Sequence, residues 1–171
     1  MSTATYQNLI KAFEGESQAR NKYTFFAAVA REEGWLEIAE IFEETAKNEK
    51  EHAEVIAKLL KLMGTSKDNL VTAIKGETYE YTDMYPHFEK AALEEGETAA
   101  ANYFKLVQQV EEMHAKRFQS LLEALENKTL LKRDKPIAWR CRECGYTYEG
   151  TEPPKVCPLC GHAHTFYKPV E

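Results

Sequence analysis

The chain has 171 residues, of which 22 are Lys or Arg and 28 Asp or Glu, giving a net charge of −6 at neutral pH. That length holds one or two small domains with a real core, and the acidic balance offers no general attraction to nucleic acid or to an anionic membrane. No apolar run approaches the roughly 18 residues of a membrane span, and the opening Ser2-Thr3-Ala4-Thr5-Tyr6-Gln7 lacks the apolar stretch of a secretory signal, so the expected location is cytoplasmic.

The first helix is expected from about Ser2 to Glu33, because Leu9, Phe13, Glu16, Ala19, Tyr23, Phe26 and Ala30 recur at three- and four-residue steps along one face. Glu16 lies inside that apolar stripe. A second helix follows Gly34, with Ile38, Phe42, Thr45, Glu49, His52, Ile56, Leu59 and Met63 on its stripe, and Gly64 is expected to stop it. A third begins near Leu70 behind a cap from Asp68 or Asn69 and carries Ile74, Glu77, Tyr81, Met84, Phe88 and Ala91, with Glu80 one turn from Glu77. The fourth places Ala100, Phe104, Val107, Glu111, His114, Phe118, Leu121 and Leu125 inward.

Helices one and two repeat as helices three and four. Glu49-x-x-His52 returns as Glu111-x-x-His114, and Glu32-Glu33-Gly34 returns as Glu94-Glu95-Gly96, each at an offset of 62. Gly15-Glu16 matches Gly76-Glu77 at 61, so one extra residue lies between Gly76 and Glu94, to be absorbed by a local bulge or kink near Pro86.

A Glu and a His three apart on a helix project from one face and reach a single metal. One such pair on an acidic helix is weak ground for a metal, since helical histidines are more often exposed or satisfied in a core. Five carboxylates (Glu16, Glu49, Glu77, Glu80, Glu111) and two histidines on or beside four apolar stripes are harder to dismiss. Each buried, unpaired carboxylate costs several kcal/mol or takes up a proton, and two cations remove that cost. Glu32, Glu33, Glu51, Glu94, Glu95 and Glu112 fall off the stripes and read as solvated. A Glu from each of two helices plus Glu-x-x-His from two others is the ferritin-like dimetal pattern. Mixed carboxylate and imidazole ligation suits iron or manganese, with iron favoured.

After Leu125 the stripe ends, and a basic linker with Lys128, Lys132, Arg133 and Lys135 leads to Pro136. The remainder is shorter than the roughly 40 residues below which a domain usually needs a staple. Cys141-x-x-Cys144 and Cys157-x-x-Cys160 provide it, four thiolates suited to a tetrahedral iron or zinc. A small aromatic core from Trp139, Tyr146, Tyr148, Phe166 and Tyr167, and a neighbouring bundle that needs electrons, tilt the reading to iron. His162 and His164, beside a complete thiolate set, read as exposed. The expected architecture is an all-α four-helix ferritin-like bundle over residues 1–134 and a small C-terminal four-cysteine metal domain over residues 135–171.

On Gly15-Glu16-Ser17, Glu49-x-x-His52, Gly76-Glu77-x-x-Glu80, Met84-Tyr85-Pro86, Glu111-x-x-His114 and both cysteine knuckles, the whole chain resembles the rubrerythrins, which implies a ferritin-like bundle followed by a rubredoxin-like four-cysteine domain. The resemblance implies that Glu49 and Glu111 bridge two irons, Glu16 binds the first terminally, and Glu77 and His114 complete the second. It further implies that Glu80 and His52 serve as alternative ligands of the first iron. Tyr23 and Tyr85 are similar to the tyrosines that stand beside the ligands in that family, and ordinary core aromatics fit both equally well. The implied activity is reduction of hydrogen peroxide to water in oxidative-stress defence, with electrons relayed through mononuclear iron in the four-cysteine site. Those electrons come from a separate nicotinamide-linked reductase or a rubredoxin, since no Gly-x-Gly-x-x-Gly occurs. A homodimer or larger homo-oligomer is implied as well. Two other readings stand beside it, a ferroxidase or iron-handling protein and a structural zinc-ribbon binding module.

Overall fold

The computed structural model describes residues 2–170. Contacts cluster into two units, one ending at Thr65 and the other beginning at Ser66.

In the first unit, α1 (Thr3–Glu32) starts at Ser2, whose hydroxyl accepts from the Thr5 N–H at 3.3 Å. It ends where Gly34 takes φ +85° and the Trp35 N–H donates back to the Ala30 carbonyl at 2.8 Å. The chain then enters α2 (Leu36–Leu60), which packs along α1. Arg31 ties the pair with a forked contact to Glu43 at 2.8–3.0 Å. α2 stops earlier than expected, at Leu60 and not at Gly64. Lys61 takes the left-handed conformation at φ 56°, and the Leu62 N–H donates to the Ala57 carbonyl at 3.0 Å, the same closure made without a glycine.

The second unit begins with α3 (Ser66–Tyr79), four residues before the expected Leu70. A π-helical segment over Glu80–Met84 follows, and then α4 (Tyr85–Glu95) with Pro86 in its first turn. The π segment is the bulge that the slip from 61 to 62 demands, because an i→i+5 turn takes in one extra residue. α4 ends on Gly96 at φ +78°, and the Glu97 N–H donates to the Ala92 carbonyl at 2.8 Å, repeating the Gly34 closure 62 residues on. α5 (Thr98–Glu126) packs against both α3 and α4.

The fully buried residues of these helices are all alanines: Ala27, Ala30, Ala39, Ala46 and Ala57 in one unit, Ala92, Ala101 and Ala115 in the other. Small side chains let helix pairs approach closely along a seam. The larger stripe residues Phe26, Ile38, Leu59, Met63, Phe88 and Leu121, expected in a core, are exposed. An apolar stripe is wider than one packed neighbour covers.

The C-terminal module is a three-stranded antiparallel sheet in the order β2-β1-β3, from β1 (Ile137–Cys141), β2 (Thr147–Gly150) and β3 (Tyr167–Pro169). Trp139, Cys141, Cys157 and Tyr167 form its core. Tyr148 and Phe166, also expected there, are exposed. The Trp139 indole donates to the Gly150 carbonyl at 2.9 Å, and the Arg133 guanidinium sits 5.4 Å from its ring centroid. Trp139→Ala removes the largest member of a very small core, and the expected loss is about 3–5 kcal/mol. Denaturant unfolding of the metal-loaded protein checks this; an unchanged midpoint for the module contradicts it.

Candidate metal centres

Three groups of ligand-bearing side chains come together, each with its ligand atoms within 4.8 Å of one another: Glu16, Glu49 and His52; Glu77, Glu111 and His114; and the four cysteines. The first lies wholly in the α1–α2 unit, the second wholly in the α3–α5 unit.

In the first group, His52 Nδ1 stands 2.9 Å from Glu49 Oε2 and 3.2 Å from Glu16 Oε2. In the second, His114 Nδ1 stands 2.7 Å from Glu111 Oε2 and 3.4 Å from Glu77 Oε2. Ligands bonded to one metal at about 2.1 Å and at right angles to each other are about 3 Å apart, so both groups have the spacing of adjacent corners of a coordination sphere. Glu77 Oε2 is buried with no hydrogen-bond partner. An orphaned carboxylate oxygen facing an imidazole is what a bound cation would satisfy.

The two groups match in residues but differ in electrostatics. Glu49 is held below the usual carboxylate range by its hydrogen bond with Glu16 and by His52, and His52 is raised by Glu49 and then Glu16. Glu77 is pushed upward by burial and by neighbouring Glu111, with His114 opposing. Glu80 joins neither group; it is half-buried at the start of the π segment.

Each group has an aromatic triad in its own unit. Tyr23, Phe26 and Phe42 have ring centroids 5.5–6.3 Å apart. Tyr85, Phe88 and Phe104 have nearly the same spacings, 5.6–6.3 Å. Every member of the second triad lies 62 residues after its counterpart, so the repeat preserves the packing beside the acids as well as the acids themselves. The two phenylalanine partners of each tyrosine are legible in the sequence as stripe residues, but the geometry they repeat is not. Burial raises the Tyr85 hydroxyl above its usual value, helped by Tyr103 and by Glu80, Glu111 and Glu77, which places that phenol among the acids.

The four cysteines sit on two matching turns. Cys141 and Cys157 are buried, and Cys144 and Cys160 half-buried. The Gly145 N–H donates to the Cys141 carbonyl at 3.0 Å and the Gly161 N–H to the Cys157 carbonyl at 2.9 Å, with both glycines at positive φ, 77° and 75°. Sulfur separations are 3.7 Å for Cys141–Cys160 and 3.6 Å for Cys144–Cys157. A tetrahedron with metal–sulfur bonds of about 2.3 Å has edges of about 3.8 Å, so the thiols stand where one metal would hold them. His164 is exposed as expected. His162 is instead half-buried, with Nδ1 3.4 Å from Cys160 Sγ and its ring 4.6 Å from that of Phe166, and neither histidine joins the sulfur cluster.

Burial works against ionising Cys157, but the adjacent Tyr167 hydroxyl, itself buried without a well-formed hydrogen bond, and the Cys160 and Leu159 backbone N–H groups bring the thiol down to about 6. The His162 backbone favours the Cys160 thiolate, yet burial and the other thiols push it up to about 12. The cluster therefore holds a thiolate and retained protons together at neutral pH. A metal requires all four as thiolates, so binding must expel protons and tighten as pH rises, by about tenfold per pH unit for each proton released. Calorimetric titration with metal in buffers of different ionisation enthalpy checks this. Affinity that is flat between about pH 6 and pH 8 contradicts it.

The Rubrerythrin family model matches residues 7–122, and a model described as Rubrerythrin, rubredoxin-like domain matches residues 139–168. The chain is 42% identical to Rubrerythrin-1 of Clostridium acetobutylicum, covering 97% of this chain and 94% of that protein. It is 40% identical to the rubrerythrin of Porphyromonas gingivalis, covering 98% and 90%, and 37% identical to that of Nitratidesulfovibrio vulgaris, covering 96% and 93%.

Proposed function

The chain belongs to the rubrerythrin family, a family of oxidoreductases with a carboxylate-and-imidazole di-iron site and a four-cysteine iron site, and from that premise we propose that it reduces hydrogen peroxide to water in oxidative-stress defence. The observation that carries this reading is the pair of like half-sites, Glu16-Glu49-His52 and Glu77-Glu111-His114, in a chain that also gathers four thiols.

The reaction takes two electrons and two protons per peroxide and yields two waters. Two ferrous ions, when bound, would supply the two electrons, and iron held by the four cysteines would supply the electrons that restore them. Glu49 and Glu111 would hold both irons, Glu16 the first, and Glu77 with His114 the second. Glu80 and His52 would be alternative ligands of the first iron, a carboxylate and an imidazole that suit different charges. Tyr85 keeps its proton, so its hydroxyl stays a donor beside the acids. Tyr23 stands in the matching place in the other unit, and the aromatic triads hold both rings.

Residues 1–134 act as the di-iron domain and 135–171 as the relay. Electrons arrive from a separate reductase or a rubredoxin, and the protein works in the cytoplasm; no helix among the described residues is long and apolar enough to cross a membrane. A homodimer is part of the proposal. A second copy of the chain would cover the exposed apolar stripes of the helices. A monomeric mass in solution with turnover intact contradicts this.

Stopped-flow mixing of the anaerobically reduced protein tests the activity. Reoxidation much faster with hydrogen peroxide than with oxygen is expected; the reverse order favours ferroxidase chemistry. Zinc between the knuckles, with no thiolate-to-iron absorption, contradicts the relay.

A further inference from the structure

The face of the small module beside its first knuckle is unusually cationic for an acidic chain. Residues 135–171 carry five basic and four acidic side chains, whereas residues 1–134 carry 17 and 24. Three of those five cations share one surface. Strand alternation turns Trp139 and Cys141 inward and Arg140 outward. The β1–β3 register places Arg140 directly opposite Lys168. Arg142 continues the edge, its N–H donating to the Phe166 carbonyl at 2.8 Å.

Like charges directly opposite each other on neighbouring strands destabilise a sheet. None of the ion pairs among the described residues includes Arg140, Arg142 or Lys168. The acids close by in the sheet are Glu143, next along the knuckle, and Glu149, which pairs with Ala138 on the β2 side of Arg140, away from Lys168. The repulsion is therefore retained with no ion pair among the described residues to relieve it.

The cations also adjoin the metal site. One cavity of about 330 Å³ is lined by Arg140, Arg142 and Lys168 together with Cys141 and Gly145. Gly145 has no side chain, and a Cβ there would meet nothing within 4 Å, so the approach to the knuckle backbone is open. Arg142 also lines a larger neighbouring cavity that includes Arg117 of α5, extending the positive surface.

We infer that this face, built on Arg140, Arg142 and Lys168, is the docking surface for an acidic protein that delivers single electrons to the four-cysteine centre. The inference rests on the reading of that centre as an electron relay, and it adds where the donor sits and what its surface must carry. The donor's reduced metal loses one electron, the four-thiolate iron goes from ferric to ferrous, and no proton or atom moves. Such encounters are small and transient, and complementary charge raises their association rate more than their affinity.

The test uses the full-length, iron-loaded protein and a reduced, acidic rubredoxin as the probe. The rate of reduction of the oxidised four-cysteine iron is followed in the visible at low and high ionic strength. A wild-type second-order rate that falls steeply with salt is expected. Arg140→Glu with Lys168→Glu should slow the reaction by about tenfold or more at low salt and converge on the wild-type rate at high salt. Arg140→Lys with Lys168→Arg should retain the wild-type rate, potential and visible spectrum; the charge-reversed pair should keep the spectrum, and its potential is measured so that rates are compared at equal driving force. Calorimetric binding of the probe should weaken in the charge-reversed pair alone. Equal rates and equal salt dependence in wild type and charge-reversed protein overturn the inference, as does failure of the probe to reduce wild type. So does a charge-reversed pair that accepts electrons normally but passes them on slowly, which would assign the cations to an acidic surface on a second copy of this chain. Failure of the peroxidase reading appears in a different experiment, as slow oxidation of the reduced protein by peroxide, and leaves the donor step measurable.

Discussion

Glu49→Ala and Glu111→Ala are each expected to lower the rate at which hydrogen peroxide oxidises the reduced protein by more than about 100-fold, since removing groups that only support metal ligands already costs about 10–100-fold. Both residues lie against the imidazole of their own Glu-x-x-His pair, at 2.9 Å and 2.7 Å. Both side chains are also among the least exposed of their groups, at 16% and 13%. Loss of either carboxylate removes one negative charge and one oxygen ligand from a centre that two cations would occupy, so iron content should fall together with activity. Glu51→Ala is the matched control. Glu51 is adjacent in sequence but exposed, with its carboxylate 3.2 Å from Lys50 Nζ, and replacing it should change stability by no more than about 0.5 kcal/mol and leave iron content intact. Metal analysis alongside stopped-flow oxidation reads both effects. Full iron content with full activity in Glu49→Ala would remove that residue from the site.

Cys141→Ser is expected to separate the two halves of the chemistry. Cys141 is buried, paired across 3.7 Å with Cys160, and held in the sheet opposite Tyr167. A serine in that place is a poor ligand for a thiolate-preferring iron. It also removes part of the staple from a module whose core is four residues. Turnover driven by a protein donor should collapse, with loss of the thiolate-to-iron absorption. A single round of peroxide oxidation, starting from protein reduced chemically, should survive, because Glu16, Glu49, His52, Glu77, Glu111 and His114 are untouched. If donor-driven turnover persists in this variant, electrons reach the di-iron site by another route and the relay is wrong.

Much of this was legible before any coordinates. The 62-residue offset identified two equivalent helix pairs, and its slip to 61 at Gly15-Glu16 called for one extra residue that the π segment Glu80–Met84 supplies. Side-chain period fixes which residues share a helix face, so the pairing of Glu49 with His52, and of Glu111 with His114, follows from the stripes, whereas the joining of Glu16 to the first pair and of Glu77 to the second comes from the packing of separate helices. The same stripes do not say which body covers a face. Phe26, Ile38, Phe88 and Leu121 look like core in sequence and are exposed, because each seam is closed by alanines and the larger side chains lie beside it. The end of α2 departs from the expected Gly64 for a different reason. Glycine favours the left-handed conformation that closes a helix, but Lys61 adopts it three residues before Gly64. Glu80, one turn from Glu77, stands at the start of the π segment and outside the Glu77-Glu111-His114 cluster, which its spacing alone does not show.

The central claim is that these acids and imidazoles hold two irons that hydrogen peroxide oxidises directly, with the four-cysteine iron in series behind them. Anaerobic titration of the fully reduced, metal-analysed protein with hydrogen peroxide tests it most directly. Two electrons should leave the protein per peroxide added, with the di-iron site oxidised first and the thiolate-iron colour appearing as electrons are drawn from the cysteine centre. Protein whose carboxylate groups take up no iron, or whose iron at both centres stays ferrous through repeated additions of peroxide, would contradict the account.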